Sequence, residues 1–313
     1  MDSFIYSLNA TIPIFLVMIA GGIIKKAGIV NDNFVDVANR YVYKVALPIL
    51  LYMDIATADI RNEFDVKFVL FCAGVTTICF VVIWILTEIF MKDNYMKGSF
   101  VQGSFRSSAA VLGMAFIQNM YEDAGMAPLM IVSAVPLYNV FSVIVLTFKA
   151  EDNQGKGTIK KACINILKNP IIIGIVLGLI TSLSGVKLPV IASKTLTSFS
   201  QTATPLALIC IGAGFEGRKA IKKIVPTVIG SAIKLVIQPA IFIPAALYFG
   251  FRNQELVAIL IMLASPSTVS CYIMAKNMKN DAVLSSSIIV LTTLLSSITL
   301  TAWIFFLKSG GYI

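Results

Sequence analysis

Residues recur in this chain at a spacing of about 157, and each copy of the repeat carries its own run of membrane-length apolar stretches. Pro13 and Pro170, Gly21 and Gly178, Gly28 and Gly185, Pro48 and Pro205, and Ala56 and Ala213 all keep that offset. Asn119 and Asn277, then Asp123 and Asp281, follow at 158, a slip that one insertion explains. One matched Pro or Gly carries little weight, but the register holds over more than a hundred positions. If each copy crosses a bilayer five times, an odd number, the second copy must enter from the opposite side. Inverted repeats of this kind are the architecture of many secondary transporters.

The 313 residues are 58% hydrophobic and 13% charged, with a mean hydropathy of +0.87, which a water-soluble surface could not carry. A helix needs about 20 apolar residues to cross the hydrocarbon core. That window yields ten candidate spans: 5–24, 34–58, 66–90, 99–120, 126–148, 164–184, 189–214, 224–249, 254–275 and 282–307. The expected fold is thus an all-α membrane protein of ten transmembrane helices. Residues 1–148 form the first five-helix repeat, 149–163 a short cytoplasmic linker, and 164–313 the second repeat. No Lys or Arg stands in the first 24 residues, so the first apolar stretch reads as a retained span rather than a secretory signal.

Lys and Arg accumulate on cytoplasmic loops. Odd-numbered loops hold fifteen, among them Lys25, Lys26, Lys160, Lys161, Lys222 and Lys223, whereas even loops and the C-terminus hold five. This predicts a multi-pass protein of the cytoplasmic (inner) membrane with both termini outside, and it requires an even number of spans. The net charge of +9 is therefore a matter of topology. It does not indicate nucleic-acid binding, because no foldable polar domain presents it. Cys72, Cys79, Cys163, Cys210 and Cys271 all fall in apolar stretches, where buried free thiols are expected, with no disulfide and no metal site.

Spans four and nine are the least hydrophobic. GSFRSSAAVLGMAF places Ser104, Arg106, Ser107, Ser108 and Gly113 near membrane depth, and ASPSTVSCYIMA places Ser265, Pro266, Ser267, Thr268 and Ser270 there. At the 158 offset, Ser107 meets Ser265 and Ser108 meets Pro266. Proline removes a helical hydrogen bond, and glycine and hydroxyls let a chain unwind where it lines a cavity. Breaks are expected at Gly113 and Pro266. Half-helix N-termini exposed by such breaks attract anions.

These runs, with IQNMYEDAG, VPLYNVFSVIVL, LKNPIIIGIVLGL and the segment from Ala264 to Leu300, resemble bacterial members of the auxin efflux carrier family over essentially the whole chain. The resemblance implies a ten-helix carrier related to sodium/proton antiporters and bile acid symporters, with interrupted helices four and nine crossing and organic anions as substrates. Many relatives have asparagine where this chain has Ser108 and proline where it has Ala115, so that asparagine's carboxylate contact is not carried over.

Ionisable groups at membrane depth are costly and mark functional candidates. Lys44, Asp54, Glu88, Arg106, Lys194 and Lys234 qualify. Glu88 and Lys194 are expected to snorkel to an interface. Arg106 either grips a carboxylate or locks two helices, and Lys234, with Gln238 one turn on, is expected to bind a neighbouring carbonyl or Asp54. Asn139, after Pro136, makes a helix-helix hydrogen bond or lines a cavity. Histidine is absent, which leaves Asp54 as the candidate proton relay. Thr292, with Ser265 and Thr268, is the candidate for holding sodium.

The expectation is a carrier moving small organic anions, carboxylates, by alternating access, with Arg106, Ser107, Ser108, Gly113, Asn139, Ser265, Pro266, Ser267 and Thr268 as substrate contacts. Coupling to Na+ or H+ through Asp54 and Thr292 is left open, as is a homodimer. Membrane lipid is the surrounding partner, and no cofactor or enzymatic activity is expected. A cation antiporter or symporter, or a non-transporting sensor on the same scaffold, are the alternatives.

Overall fold

The computed structural model describes residues 2–57, 65–109, 117, 126–150, 158–186 and 188–313, with side chains left undescribed at 2–10 and 158–162. Among the described residues the chain is helical, with no strand. The first copy contains α1 (Asp2–Lys26), α2 (Asp32–Tyr41), α3 (Leu47–Ala56), α4 (Val66–Phe90), α5 (Asn94–Phe105) and α6 (Ala127–Lys149). After α7 (Thr158–Leu167) come α8 (Pro170–Ser184), α9 (Val190–Ser200), α10 (Ala203–Ala213), α11 (Gly217–Lys222), α12 (Ile224–Ala232), α13 (Gln238–Tyr248), α14 (Asn253–Ala264), α15 (Ser270–Asn277) and α16 (Ala282–Ser309). Five described helical segments are long and apolar enough to cross a membrane: Val66–Phe90, Ala127–Lys149, Val190–Ala213, Ile224–Tyr248 and Ala282–Ser309.

Side-chain caps set the helix starts. Asn31, Asp65, Asn169 and Asp281 accept from the amides of Phe34, Phe68, Ile171 and Leu284 at 2.9, 3.1, 2.9 and 2.9 Å, each satisfying a first-turn donor. Gly28 and Gly185, related by the 157-residue offset, sit in the left-handed region at φ 75° and 68° just past α1 and α8, where glycine has no Cβ penalty.

Several expected boundaries move. Span six begins as α8 at Pro170 rather than at 164, because Asn169 caps it and the residue before a proline is pushed out of the helical region. The preceding linker is helical from Thr158, and Cys163 on α7 is exposed, whereas the other four cysteines are buried. Spans two and eight each contain a widened π turn, Val42–Ala46 and Ile233–Ile237. Pro48 and Pro239 follow these turns and cannot donate to the carbonyls four residues back, which opens the helix there.

Polarity is inverted relative to a soluble protein. Leu70, Ile78, Ile85 and Ile89 of α4 and Phe305 and Phe306 of α16 face outward, while Gln102, Arg106, Lys234, Gln238 and Ser285 are buried. Glycine permits the closest approaches. A Cβ on Gly21 would overlap the backbone of Ile209, and one on Gly178 would meet the carbonyl of Tyr52 at 3.0 Å. Both partners of the first contact shift by 157 to give the partners of the second. Thus α1 packs on α10 and α3 packs on α8. Together with α2 and α9 these helices form a panel beside the broken helices.

Candidate functional site

α5 ends at Phe105, and Arg106 is extended at φ −74°, ψ 146°. α14 ends at Ala264, and Ser265 is extended at φ −65°, ψ 152°. The two helix ends are offset by 159, which sets Arg106 against Ser265 and Ser107 against Pro266 as the first residues past each end. This offset is one residue longer than the 158 read from the sequence. The first helix breaks at Arg106; Gly113, where a break was expected, lies outside the described residues. Pro266 lies within the second break, between α14 and α15.

A broken helix leaves its last carbonyls without intrahelical partners, and here each end is satisfied from across the crossing. The Ser267 hydroxyl donates to the Gly103 carbonyl, and Gln238 Nε2 donates to Ser104 O at 2.6 Å. On α14, Ser107 Oγ donates to Ile261 O at 3.3 Å, Tyr138 OH to Met262 O at 3.1 Å, and Lys234 Nζ to Leu263 O at 2.6 Å and Met262 O at 3.3 Å. The amine of Lys234 thereby sits at the negative end of a helix dipole. The extended segments also join directly, Ser108 N donating to Pro266 O at 2.9 Å.

Arg106 is 3% exposed. Its Nη2 donates to Asn139 Oδ1 at 2.8 Å and Ser270 Oγ at 2.9 Å, and its Nη1 contacts Met274 Sδ at 2.9 Å. Its Nε has no partner, and no carboxylate among the described residues forms an ion pair with it. A buried cation without a counterion is unfavourable unless something else compensates it.

Arg106 lines a cavity of about 140 Å³ between the broken helices and the panel. Ser107, Ser108, Thr268 and Ser270 line it from the crossing, Asn139 from α6, and Leu47, Leu50, Asp54 and Thr204 from α3 and α10. α15 begins at its edge with Ser270. The cavity therefore gathers Arg106, Ser107, Ser108, Asn139, Thr268 and Asp54 from the expected residues. Ser265, Pro266 and Ser267 do not line it, because they turn toward the interior of the crossing. The amide of Ser267 donates to Thr292 Oγ1 at 3.1 Å, and that hydroxyl in turn donates to Ile288 O at 2.7 Å within its own helix, so Thr292 holds the break and does not face the cavity. Lys234 binds carbonyls rather than Asp54. Lys44 and Lys194 are exposed. Glu88 is held by Lys97 at 2.8 Å, by Lys149 and by Trp84 Nε1 at 2.9 Å, which ties α4 to α5 and α6.

Ser270, Tyr138 and Thr204 are the polar cavity residues that the sequence did not single out as contacts. Ser270 stands in the polar run of span nine and so carried a signal, whereas Thr204, beside the repeat-matched Pro205, carried only its position. Tyr138 carried none beyond its place after Pro136.

Residues 6–304 match the family described as membrane transport protein. An uncharacterized transporter of Methanothermobacter thermautotrophicus is 21% identical over 302 residues, covering 96% of this chain and 98% of that protein. The uncharacterized transporter YfdV of Escherichia coli (strain K12) is 20% identical over 306 residues, covering 96% and 97%, and YfdV of Shigella flexneri matches to the same extent.

Proposed function

The chain belongs to the membrane transport protein family, the auxin efflux carrier group, and from that premise we propose that it carries small organic anions, of the carboxylate class, by alternating access. The observation that carries this reading is the buried guanidinium of Arg106, with an unpartnered Nε and no carboxylate partner among the described residues, on the wall of a cavity that Ser107, Ser108, Thr268 and Ser270 help to line. A carboxylate entering there gains a charge-assisted bond to Arg106 and hydroxyl donors from Ser108, Thr268 and Ser270. The cavity is smaller than the ~300–1,000 Å³ of drug-sized sites, which favours small metabolites.

Ten spans in two inverted repeats are part of the same reading. The reciprocal contacts of Gly21 with Ile209 and Gly178 with Tyr52 support it, as does the matched break of α5 and α14. The panel of α1, α2, α3, α8, α9 and α10 is then the frame against which the crossing moves. The distribution of Lys and Arg supports an inner-membrane location with both termini outside.

The test is uptake and binding across a panel of mono- and dicarboxylates with purified protein in liposomes. Arg106→Gln is expected to lower affinity at least tenfold for every carboxylate that the parent binds. Binding that survives this change undiminished sinks the proposal.

A further inference from the structure

Two charges face the cavity from opposite walls. Arg106 comes from the broken end of α5 and Asp54 from α3 in the panel, and every other lining residue is neutral. Neither charge has an ion-pair partner among the described residues, and the two are not bonded to each other. The repeat does not require either of them: the counterpart of Asp54 is Ile211, and that of Arg106 is Ser265. Both charges thus belong to the first copy and meet only at this cavity.

A ligand that is purely anionic satisfies Arg106 and leaves the Asp54 carboxylate beside it as a like charge, which a poorly solvated cavity penalises. A second carboxylate on the ligand makes this worse. An ammonium a few bonds from the carboxylate removes the conflict, because each end of the ligand meets its opposite charge and the filled cavity is neutral. On the reading that this cavity takes a carboxylate, we propose that its preferred substrate is a small zwitterion of the amino-acid class, its carboxylate on Arg106 and its ammonium on Asp54.

Calorimetric titration of the purified full chain tests this with alanine, β-alanine and γ-aminobutyrate against their deaminated counterparts propionate and butyrate, and against succinate. At least one zwitterion is expected to bind tenfold or more tightly than its deaminated counterpart. Asp54→Asn should reduce that ratio to threefold or less while propionate and butyrate bind at least as well as before, and Asp54→Glu should keep the preference. The unliganded melting temperature of each variant reports whether it folds. The proposal is overturned if no zwitterion binds, or if propionate, butyrate or succinate matches every zwitterion in the parent. It is also overturned if Asp54→Asn leaves the ratio intact. Loss of all binding in Arg106→Gln alongside an unchanged ratio in Asp54→Asn removes this proposal alone, whereas Arg106→Gln without effect removes the carboxylate reading itself.

Discussion

The side-chain amide of Gln238 lies 2.6 Å from the carbonyl oxygen of Ser104, so a residue of span eight caps a helix broken in span four. Lys234, one turn earlier, caps the other broken helix at Leu263. Two positions on one helix therefore hold both halves of the crossing.

Gln238→Leu removes a neutral donor and leaves the Ser104 carbonyl buried without it, at a cost of about 1–3 kcal/mol. The apparent melting temperature in detergent should fall by several degrees. An unchanged melting temperature would mean that the Ser104 carbonyl finds another donor.

Ser267→Ala should act on stability and leave recognition alone. Its hydroxyl bonds the Gly103 carbonyl and does not line the cavity, so the expected loss is about 1 kcal/mol with substrate affinity within twofold of the parent. Ser107→Ala touches both the Ile261 carbonyl and the cavity and should weaken binding as well. Equal effects of the two changes on affinity would contradict this division.

Lys276 on α15 pairs with Asp36 on α2 at 2.8 Å, and Asn277 Nδ2 donates to Asn39 O at 3.3 Å beside it. This bridge joins the panel to the far half of the second broken helix. An exposed pair adds only about 0–1 kcal/mol to global stability, yet the same energy biases two conformations by up to about fivefold. Asp36→Asn should raise the maleimide labelling rate of a cysteine placed at Thr204 in the cavity, with little change in melting temperature. A cysteine pair at 36 and 276, when cross-linked, should stop transport.

Close helix packing makes glycine substitutions strongly position-dependent. A Cβ on Gly212 overlaps the backbone of Met18, while one on Gly74 meets nothing within 4 Å. Gly212→Ala should cost about 1–3 kcal/mol or more through overpacking, and Gly74→Ala should gain about 0.5–1 kcal/mol from helix propensity. Folded yield and melting temperature of the two variants check the order.

Cys163 is the exposed cysteine among the five, the other four being buried. With odd-numbered loops in the cytoplasm, a membrane-impermeant maleimide should label it in inside-out vesicles and spare it in intact cells. The reverse pattern inverts the proposed topology.

The periodic features were legible in the residues alone. Apolar runs, the 157-residue register, the positions of Pro48 and Gly185, and the two weakly apolar spans follow from what a bilayer demands locally: satisfied backbone groups and apolar side chains over a fixed length. The polar runs led to Arg106, Ser107, Ser108 and Thr268 because hydroxyls and charge are costly at membrane depth unless they line a cavity or bind a freed backbone group. Which serines would face a cavity and which would face carbonyls was not legible. Ser267 and Ser108 have the same chemistry and lie 159 residues apart, yet one bonds Gly103 and the other lines the cavity. That division depends on where each helix end runs out of intrahelical donors and what the other copy brings within about 3 Å of it. The placement of Arg106 across from Asp54 rests on the same kind of fact: the two stand 52 positions apart in sequence, and only the tertiary fold puts α3 and the broken end of α5 on one cavity.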